Sequence, residues 1–343
     1  VSKQVYVAMS GGVDSSLTAA LLKDQGYKVT GVYMKNWTKD FPGFKCPWQD
    51  DYQDAKRVAV QLKIDFKVYD FETEYRHQVV DYMIKEYKEG NTPNPDIMCN
   101  QEVKFKLFLQ CATKDGAKLI ATGHYARTKG SYLYKGLDEN KDQSYFLYRV
   151  DADAIKKSLM PIGNYHKSDV RKLAKKLNLV TAEKKDSQGI CFVGKVGIKE
   201  FLLSELGPQK PGPIINQKGE EIGTHDGAIF YTIGQRHGLN LGGGLPYYVT
   251  KKDVKKNIVY VTTDLFDDNL WTSEVRLTQP HWINEAPTQN KTYTCRLRYR
   301  GPLLKAKVIK DKLVLDKPAR GKAAGQSAVV YDGDEVIGGG IIR

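Results

Sequence analysis

No run of apolar residues in this 343-residue chain approaches the ~20 that a membrane-spanning helix requires. The first residues, Val1-Ser2-Lys3-Gln4, pass straight into a strand-like segment, so no secretion signal is expected. The five cysteines, Cys46, Cys99, Cys111, Cys191 and Cys295, include no CxxC pair, which leaves a zinc ribbon or thioredoxin-type motif unsupported. In a reducing compartment they are expected as thiols. Neither GxxxxGK[ST] nor GxGxxG occurs, which disfavours an ordinary Walker kinase or Rossmann dehydrogenase. Internal repeats and low-complexity tails are also missing. Acidic residues run short against basic ones, 40 against 53, for a net charge of +13. That excess favours a polyanionic partner, RNA first, because neutralising phosphate is the main sequence-independent term in nucleic-acid affinity.

What the chain does hold begins with Ala8-Met9-Ser10-Gly11-Gly12-Val13-Asp14-Ser15-Ser16. Gln4 to Met9 reads as a buried strand, and Ser15 to Gln25 carries Leu17, Ala20, Leu21 and Leu22 at helical spacing. Two glycines between strand and helix let backbone N–H groups close on an anion, and the helix N-terminus adds partial positive charge. Ser10, Ser15 and Ser16 supply hydroxyls, while Asp14 is placed to hold a metal ion or cap the helix. A plain capped glycine turn has the same local chemistry. The turn alone does not decide.

Strand and helix patterns alternate from residue 1 to about 185. Strands are expected at Lys28–Met34, Asp65–Asp70 and Lys118–Thr122, and helices at Asp50–Leu62, Tyr75–Glu89, Asn100–Lys114 and Lys167–Leu177. The alternation predicts an α/β domain with a parallel sheet covered on both faces, its ligand lying outside the C-terminal strand ends. Gly207 to Pro213 is rich in breakers and marks a boundary. Short strands follow at Ile214-Ile215, Ile229–Thr232, Tyr247–Thr250 and Ile258–Val261, with a second junction near Asp264 to Leu270. Strands at Tyr293–Tyr299, Lys305–Ile309, Lys312–Leu315 and Gln326–Tyr331 suggest a small β-barrel. The expected division is 1–205, 206–267 (small and mostly β) and 268–343 (the barrel).

Two cysteine contexts stand out. In Gly90-Asn91-Thr92-Pro93-Asn94-Pro95-Asp96-Ile97-Met98-Cys99-Asn100, the prolines force an extended path and Cys99 falls at or just before a helix start, where the dipole favours a thiolate. In Asp186-Ser187-Gln188-Gly189-Ile190-Cys191-Phe192, Cys191 reads either as an accessible loop thiol or as a buried strand residue.

SGGVDSS resembles the phosphate loop of the ATP-pyrophosphatases. With NTPNPDIMCN, ATGHYA, KDQSYFLY, DSQGICF and YTIGQRHGL following in order, the chain resembles the tRNA-specific 2-thiouridylases. Its end, RLRYRG and GQSAVVYDGDEVIGGG, is similar to that family's C-terminal barrel. The resemblance implies an enzyme that adenylates the 2-oxygen of the wobble uridine (position 34) in tRNA with ATP, then replaces that oxygen with sulfur. Ala8 to Ser16 match its nucleotide loop, with Asp14 near Mg²⁺, and Met34 and Gly123 match adenosine contacts. Cys191 matches the persulfide carrier, Cys99 the partner that ends in a Cys99–Cys191 disulfide, and Asp96 an acid–base residue. Asn94, Pro95 and Asp96 match the loop at the flipped uridine; His124, Lys141, Asp142, Gln143, Arg298, Tyr299 and Gln326 match other tRNA contacts.

The resemblance further implies tRNAs for Lys, Glu and Gln, a persulfide donor or carrier fed by a cysteine desulfurase, a monomer, and the bacterial cytoplasm, with the mitochondrial matrix as alternative. Arg296, Arg298 and Arg300 alternate along the predicted strand and so share one face, a basic stripe suited to phosphate. Gly194-Lys195-Val196-Gly197 departs from the family, in which an acidic residue is common after the glycine, as does Ala323-Ala324, in which proline is usual. Neither removes a chemical group. The competing readings are another ATP-pyrophosphatase, such as a small-molecule amidotransferase, and a non-catalytic RNA-binding protein. No glutaminase-like domain is visible for the first, and the intact Asp14 and cysteines speak against the second.

Overall fold

The computed structural model describes residues 3–40, 45–186, 197–242 and 244–343. Its first sheet is built from β1 (Gln4–Ala8), β2 (Lys28–Lys35), β3 (Asp65–Asp70) and β4 (Leu119–Ala121). A hairpin, β5 (Ala126–Lys129) and β6 (Tyr132–Lys135), then leaves the sheet before β7 (Ser158–Leu159) returns to it. The order is β3-β2-β1-β4-β7, all parallel. β1 is central and apolar on both sides because both faces are covered. Val5 and Val7 pack with Ala19 and Leu22 of α1 (Val13–Asp24) and with Ala55 and Val58 of α2 (Trp48–Gln61). Tyr6 and Ala8 point the other way, into a core with Val79, Met83, Val103 and Phe108. Those four belong to continuous helical runs at 72–88 and 95–114, each containing a π-helical stretch, Arg76–Val80 and Cys99–Leu107. Such widened turns are frequent at functional sites.

After the helix Ile198–Leu206, β8 (Gly212–Ile215), β9 (Glu221–His225), β10 (Tyr248–Asp253) and β11 (Ile258–Thr262) form a small sheet in the order β10-β11-β8-β9. The strand expected at Ile229–Thr232 is instead a 3₁₀ turn, Ala228–Phe230, opened by Gly227 at φ +134°. Its apolar residues are there for packing rather than pairing: Ala228 and Tyr231 fill the core of this part. β9, mostly polar and half-exposed, gave no alternating signal.

β12 (Trp271–Trp282), β13 (Thr292–Arg296), β14 (Leu304–Ile309), β15 (Lys312–Arg320), β16 (Ser327–Asp332) and β17 (Glu335–Ile342) run β12-β15-β14-β13-β16-β17. β12 also pairs with β17, so this is a closed six-stranded antiparallel barrel. Closure needs glycine: a Cβ on Gly338 would sit 2.1 Å from the His281 carbonyl oxygen, and its φ is +148°. The hairpin β5–β6 extends the barrel sheet, with Tyr134 opposite Glu335 and Arg127 paired to Asp334 at 2.9 Å. The first and last parts of the chain therefore share one sheet.

Candidate active site

The SGGVDSS turn leaves β1 at its C-terminal end and becomes the first turn of α1. Gly11 has φ +74°, and a Cβ there would lie 2.2 Å from the Asp51 carbonyl oxygen at the start of α2. Gly12, the residue before the helix, differs: its Cβ would meet only Ser10 Oγ at 3.5 Å, so the space before the turn is open. Ser15 and Ser16 turn their hydroxyls inward to the Gly12 carbonyl at 3.1 and 2.8 Å, and the Ser10 N–H donates to Ser15 Oγ at 3.2 Å. The side chains of Ala8, Met9 and Val13 are buried, and the Met9 N–H is spent on the Val32 carbonyl at 2.8 Å. Met34 is half-buried near the end of β2. Gly123 is held tightly: a Cβ would lie 2.8 Å from the Ser15 nitrogen, so glycine lets the end of β4 reach α1.

Gly11→Ala is expected to destabilise the fold by about 2–6 kcal/mol, from a left-handed φ plus overpacking. Urea midpoints with and without ATP check this, and an unchanged midpoint would show that α2 does not lock the turn.

Asp14 is already partnered. Its carboxylate accepts from Tyr125 Oη at 2.7 Å and from Lys167 Nζ at 2.7 and 2.8 Å. Lys167 also reaches Asp186 at 2.8 Å, where Lys141 (2.9 Å) and Arg171 (2.6 Å) converge. Burial alone would raise the Asp186 pKa, but Lys167 and Lys141 hold it down to about 2. Lys184, two residues earlier, ties to Asp51 and Asp54 of α2 at 2.7 Å each. Sequence reasoning missed Tyr125 and Lys167, since nothing local marks residues 111 and 153 positions away from Asp14 as its neighbours, and it missed Lys184 beside Asp51 and Asp54 for the same reason. Among the described residues no group of three or more His, Cys, Asp or Glu could hold a metal ion. Asp14 thus offers one carboxylate, tied to an ammonium that it shares with Asp186. That donor set fits a Mg²⁺ ion held mainly by phosphates, not a protein-built cage.

The second constellation follows Asn94, which precedes a helix with Pro95 in its first position. The helix therefore starts four residues before Cys99, and the expectation that Cys99 sits at its start is corrected. It lies in the second turn, 3 % exposed, beyond the strongest part of the dipole. Asp96 is half-buried, and burial pushes its carboxyl above the ordinary range against the opposing charge of Lys104. Cys191 lies outside the described residues, as does most of the DSQGICF motif.

Residues 3–195 match the family described as "tRNA methyl transferase HUP domain", 199–263 the "tRNA methyl transferase PRC-barrel domain", and 272–342 the "Aminomethyltransferase beta-barrel domain". Similar full-length relatives are called tRNA-specific 2-thiouridylase MnmA. The protein from Geobacillus thermodenitrificans is 45 % identical over 99 % of this chain and 94 % of its own length. Those from Streptococcus sanguinis and Bacillus subtilis are each 44 % identical over 99 % of this chain and 95 % and 94 % of their own. The chain belongs to the 2-thiouridylase family.

In this thiouridylase the residues matched to tRNA contacts divide: Asp142, Tyr299 and Gln326 touch across seams between the parts, whereas His124, Lys141 and Gln143 have partners within the first part. His124 is buried, its Nδ1 2.7 Å from Thr122 Oγ1 and its ring 5.7 Å from Phe105. Burial and Lys104 push its pKa well below the usual value, so the ring is neutral. Lys141 pairs with Asp186, and Gln143 Oε1 accepts from the Tyr125 N–H. Asp142 is buried and accepts from the Gly136 and Ser144 N–H groups at 3.0 Å each, a structural role that keeps its carboxylate off the surface. The expected stripe of arginines is not formed. β13 ends at Arg296, whose side chain is covered by Tyr331 and lies 3.5 Å from Asp142. Arg298 follows in a bend, and Arg300, at φ +57°, turns back over Tyr299 and onto the Asn140 carbonyl. Tyr299 stacks 4.3 Å from Phe146. This turn therefore sits against segment 140–146. Gln326 goes elsewhere: its Nε2 donates to the Thr92 carbonyl at 2.7 Å.

Proposed function

We propose that the protein thiolates the 2-position of the wobble uridine, position 34, of tRNA, consuming ATP and a persulfide sulfur and releasing AMP and pyrophosphate. The observation that carries this is the open anion turn at the end of β1 in one domain with the helix that carries Asp96 in its first turn and Cys99 in its second. A uridine carbonyl oxygen leaves poorly, so it is first adenylated. Backbone N–H groups of Gly11 to Ser15 and the N-terminus of α1 receive the departing pyrophosphate. Mg²⁺ brought with the phosphates would neutralise leaving charge beside Asp14. Asp96, protonated more readily than an ordinary carboxyl, moves the proton that oxygen-for-sulfur exchange requires. The terminal persulfide sulfur on Cys191 bonds to C2, and AMP carries off the oxygen. The Cys99 thiolate attacks the remaining sulfur–sulfur bond, forming a Cys99–Cys191 disulfide that an external thiol reduces.

Asn94, Pro95 and Asp96 face the flipped base, and the tRNA body lies on the seam with Lys141, Gln143, Arg298, Tyr299 and Gln326. We divide the chain at 205 and 267, assign tRNAs for Lys, Glu and Gln, a desulfurase-fed carrier and a monomer, and place it in the bacterial cytoplasm. No helix among the described residues is long and apolar enough to cross a membrane.

The test incubates protein, ATP, Mg²⁺, a sulfide or persulfide source and unmodified tRNA, with mass spectrometry for 2-thiouridine. Product is expected with one AMP and one pyrophosphate each. No product from folded protein that binds tRNA would overturn the assignment.

A further inference from the structure

One residue of the Asp96 loop is held by both other parts of the chain. The Thr92 N–H donates to the Ala324 carbonyl at 2.7 Å, and the Thr92 carbonyl accepts from Gln326 Nε2 at 2.7 Å. Both partners lie in the barrel turn between β15 and β16. The Thr92 hydroxyl lies 3.0 Å from the hydroxyl of Thr232, in the central part. The barrel turn comes close enough to exclude a side chain: Gly325, at φ +89°, would put a Cβ 2.7 Å from the Thr92 nitrogen. On the other side, Asn91 is buried and bound twice to Glu86 of the helix 72–88, backbone to backbone at 2.9 Å and side chain to side chain at 2.8 Å. Thr92 thus spends its N–H, its carbonyl and its hydroxyl on two other parts of the protein, four residues before Asp96.

The chain between them is stiff. Pro93 and Pro95 each have φ fixed by their rings, so a shift at Thr92 is carried to Asp96 rather than absorbed. We propose that Thr92 is a positioning residue for thiolation, a joint through which the barrel and the central part set the place of Asp96. It rests on the thiouridylase reading. A joint of this kind makes the chemistry depend on the three parts being docked, which is the arrangement a bound tRNA lying across the seams would reinforce.

Thr92→Val keeps the shape and loses only the hydroxyl, and Thr92→Ser keeps the hydroxyl. Thr92→Val is expected to lower kcat for 2-thiouridine formation about five-fold, the usual consequence of losing one neutral hydrogen bond. KM for tRNA should stay unchanged, the melting temperature should fall by no more than about 4 °C, and Thr92→Ser should restore kcat. Thr232→Val should reproduce the defect, and the double variant should be no worse than either single one. Wild-type kcat in Thr92→Val, a loss confined to KM, or multiplying defects in the double variant would overturn the joint. If wild-type protein makes no 2-thiouridine, the functional reading fails on its own, and hydrogen exchange of the 92–98 peptide still decides the joint. Faster exchange in Thr92→Val supports it, and unchanged exchange overturns it.

Discussion

Cys99→Ser is expected to cut 2-thiouridine formation by about 10³-fold or more while pyrophosphate release with ATP and tRNA continues. A serine hydroxyl stays protonated at neutral pH and cannot open a persulfide, whereas adenylation asks nothing of the thiol. The loss should therefore fall on one half of the exchange, and Cys191→Ser should fall on the same half. Cys99 is buried, yet the swap changes one atom of similar size, so melting should move little. The other cysteines serve as controls. Cys295 is sealed in the barrel, where burial pushes its thiol up to about 12, and Cys46 and Cys111 are also pushed up by burial. None of the three is suited to act as a thiolate, and their serine variants should keep thiolation. Full activity in Cys99→Ser, or loss of pyrophosphate release together with thiolation, would refute the proposed division of labour.

The parallel sheet was legible because its strands are short apolar runs separated by amphipathic helices, and β1 is apolar on both faces for a reason visible in composition. The phosphate turn was legible because glycine at Gly11 answers a local demand. What surrounds it was not. Lys167 meets Asp14 across 153 residues of chain and ties it to Asp186, and their spacing carries no trace of it. Barrel strands β13 to β16 were legible, but β12, β17 and the hairpin β5–β6 that joins their sheet were not, and the single register between Tyr134 and Glu335 leaves no mark on either side chain. The arginine stripe failed for a physical reason: alternation predicts a shared face only while the strand continues, and here it ends at Arg296. The placement of Cys99 failed similarly. Pro95 already opens the helix, and proline in the first helical position was the available signal.

Asp96→Asn is expected to lower thiolation about 10²- to 10⁴-fold, the range for a positioned acid–base group, and to make the protein more stable at neutral pH. Both effects come from the same burial. The folded pKa of Asp96 is raised above the ordinary carboxylate value of about 3.9, so folding favours the protonated form. That contribution is fully present below the unfolded pKa and is lost as pH rises through the folded one. At pH 7 the ionised side chain is a cost to the fold, and asparagine removes it without changing shape. The melting temperatures of the two proteins should therefore differ most at neutral pH, with Asp96→Asn higher, and converge as pH falls below about 4. The wild-type pH–rate profile should show a limb set by a carboxyl above its ordinary range, and the residual activity of the variant should lack that limb. A variant less stable at pH 7 would mean that helix N–H groups hold the carboxylate charged, and the acid–base role would lose its physical basis. A variant of higher stability and unchanged rate would leave the burial intact but move the proton transfer to another group. Loss of rate together with gain of stability is the combination expected of a group kept in place for chemistry at the expense of the fold.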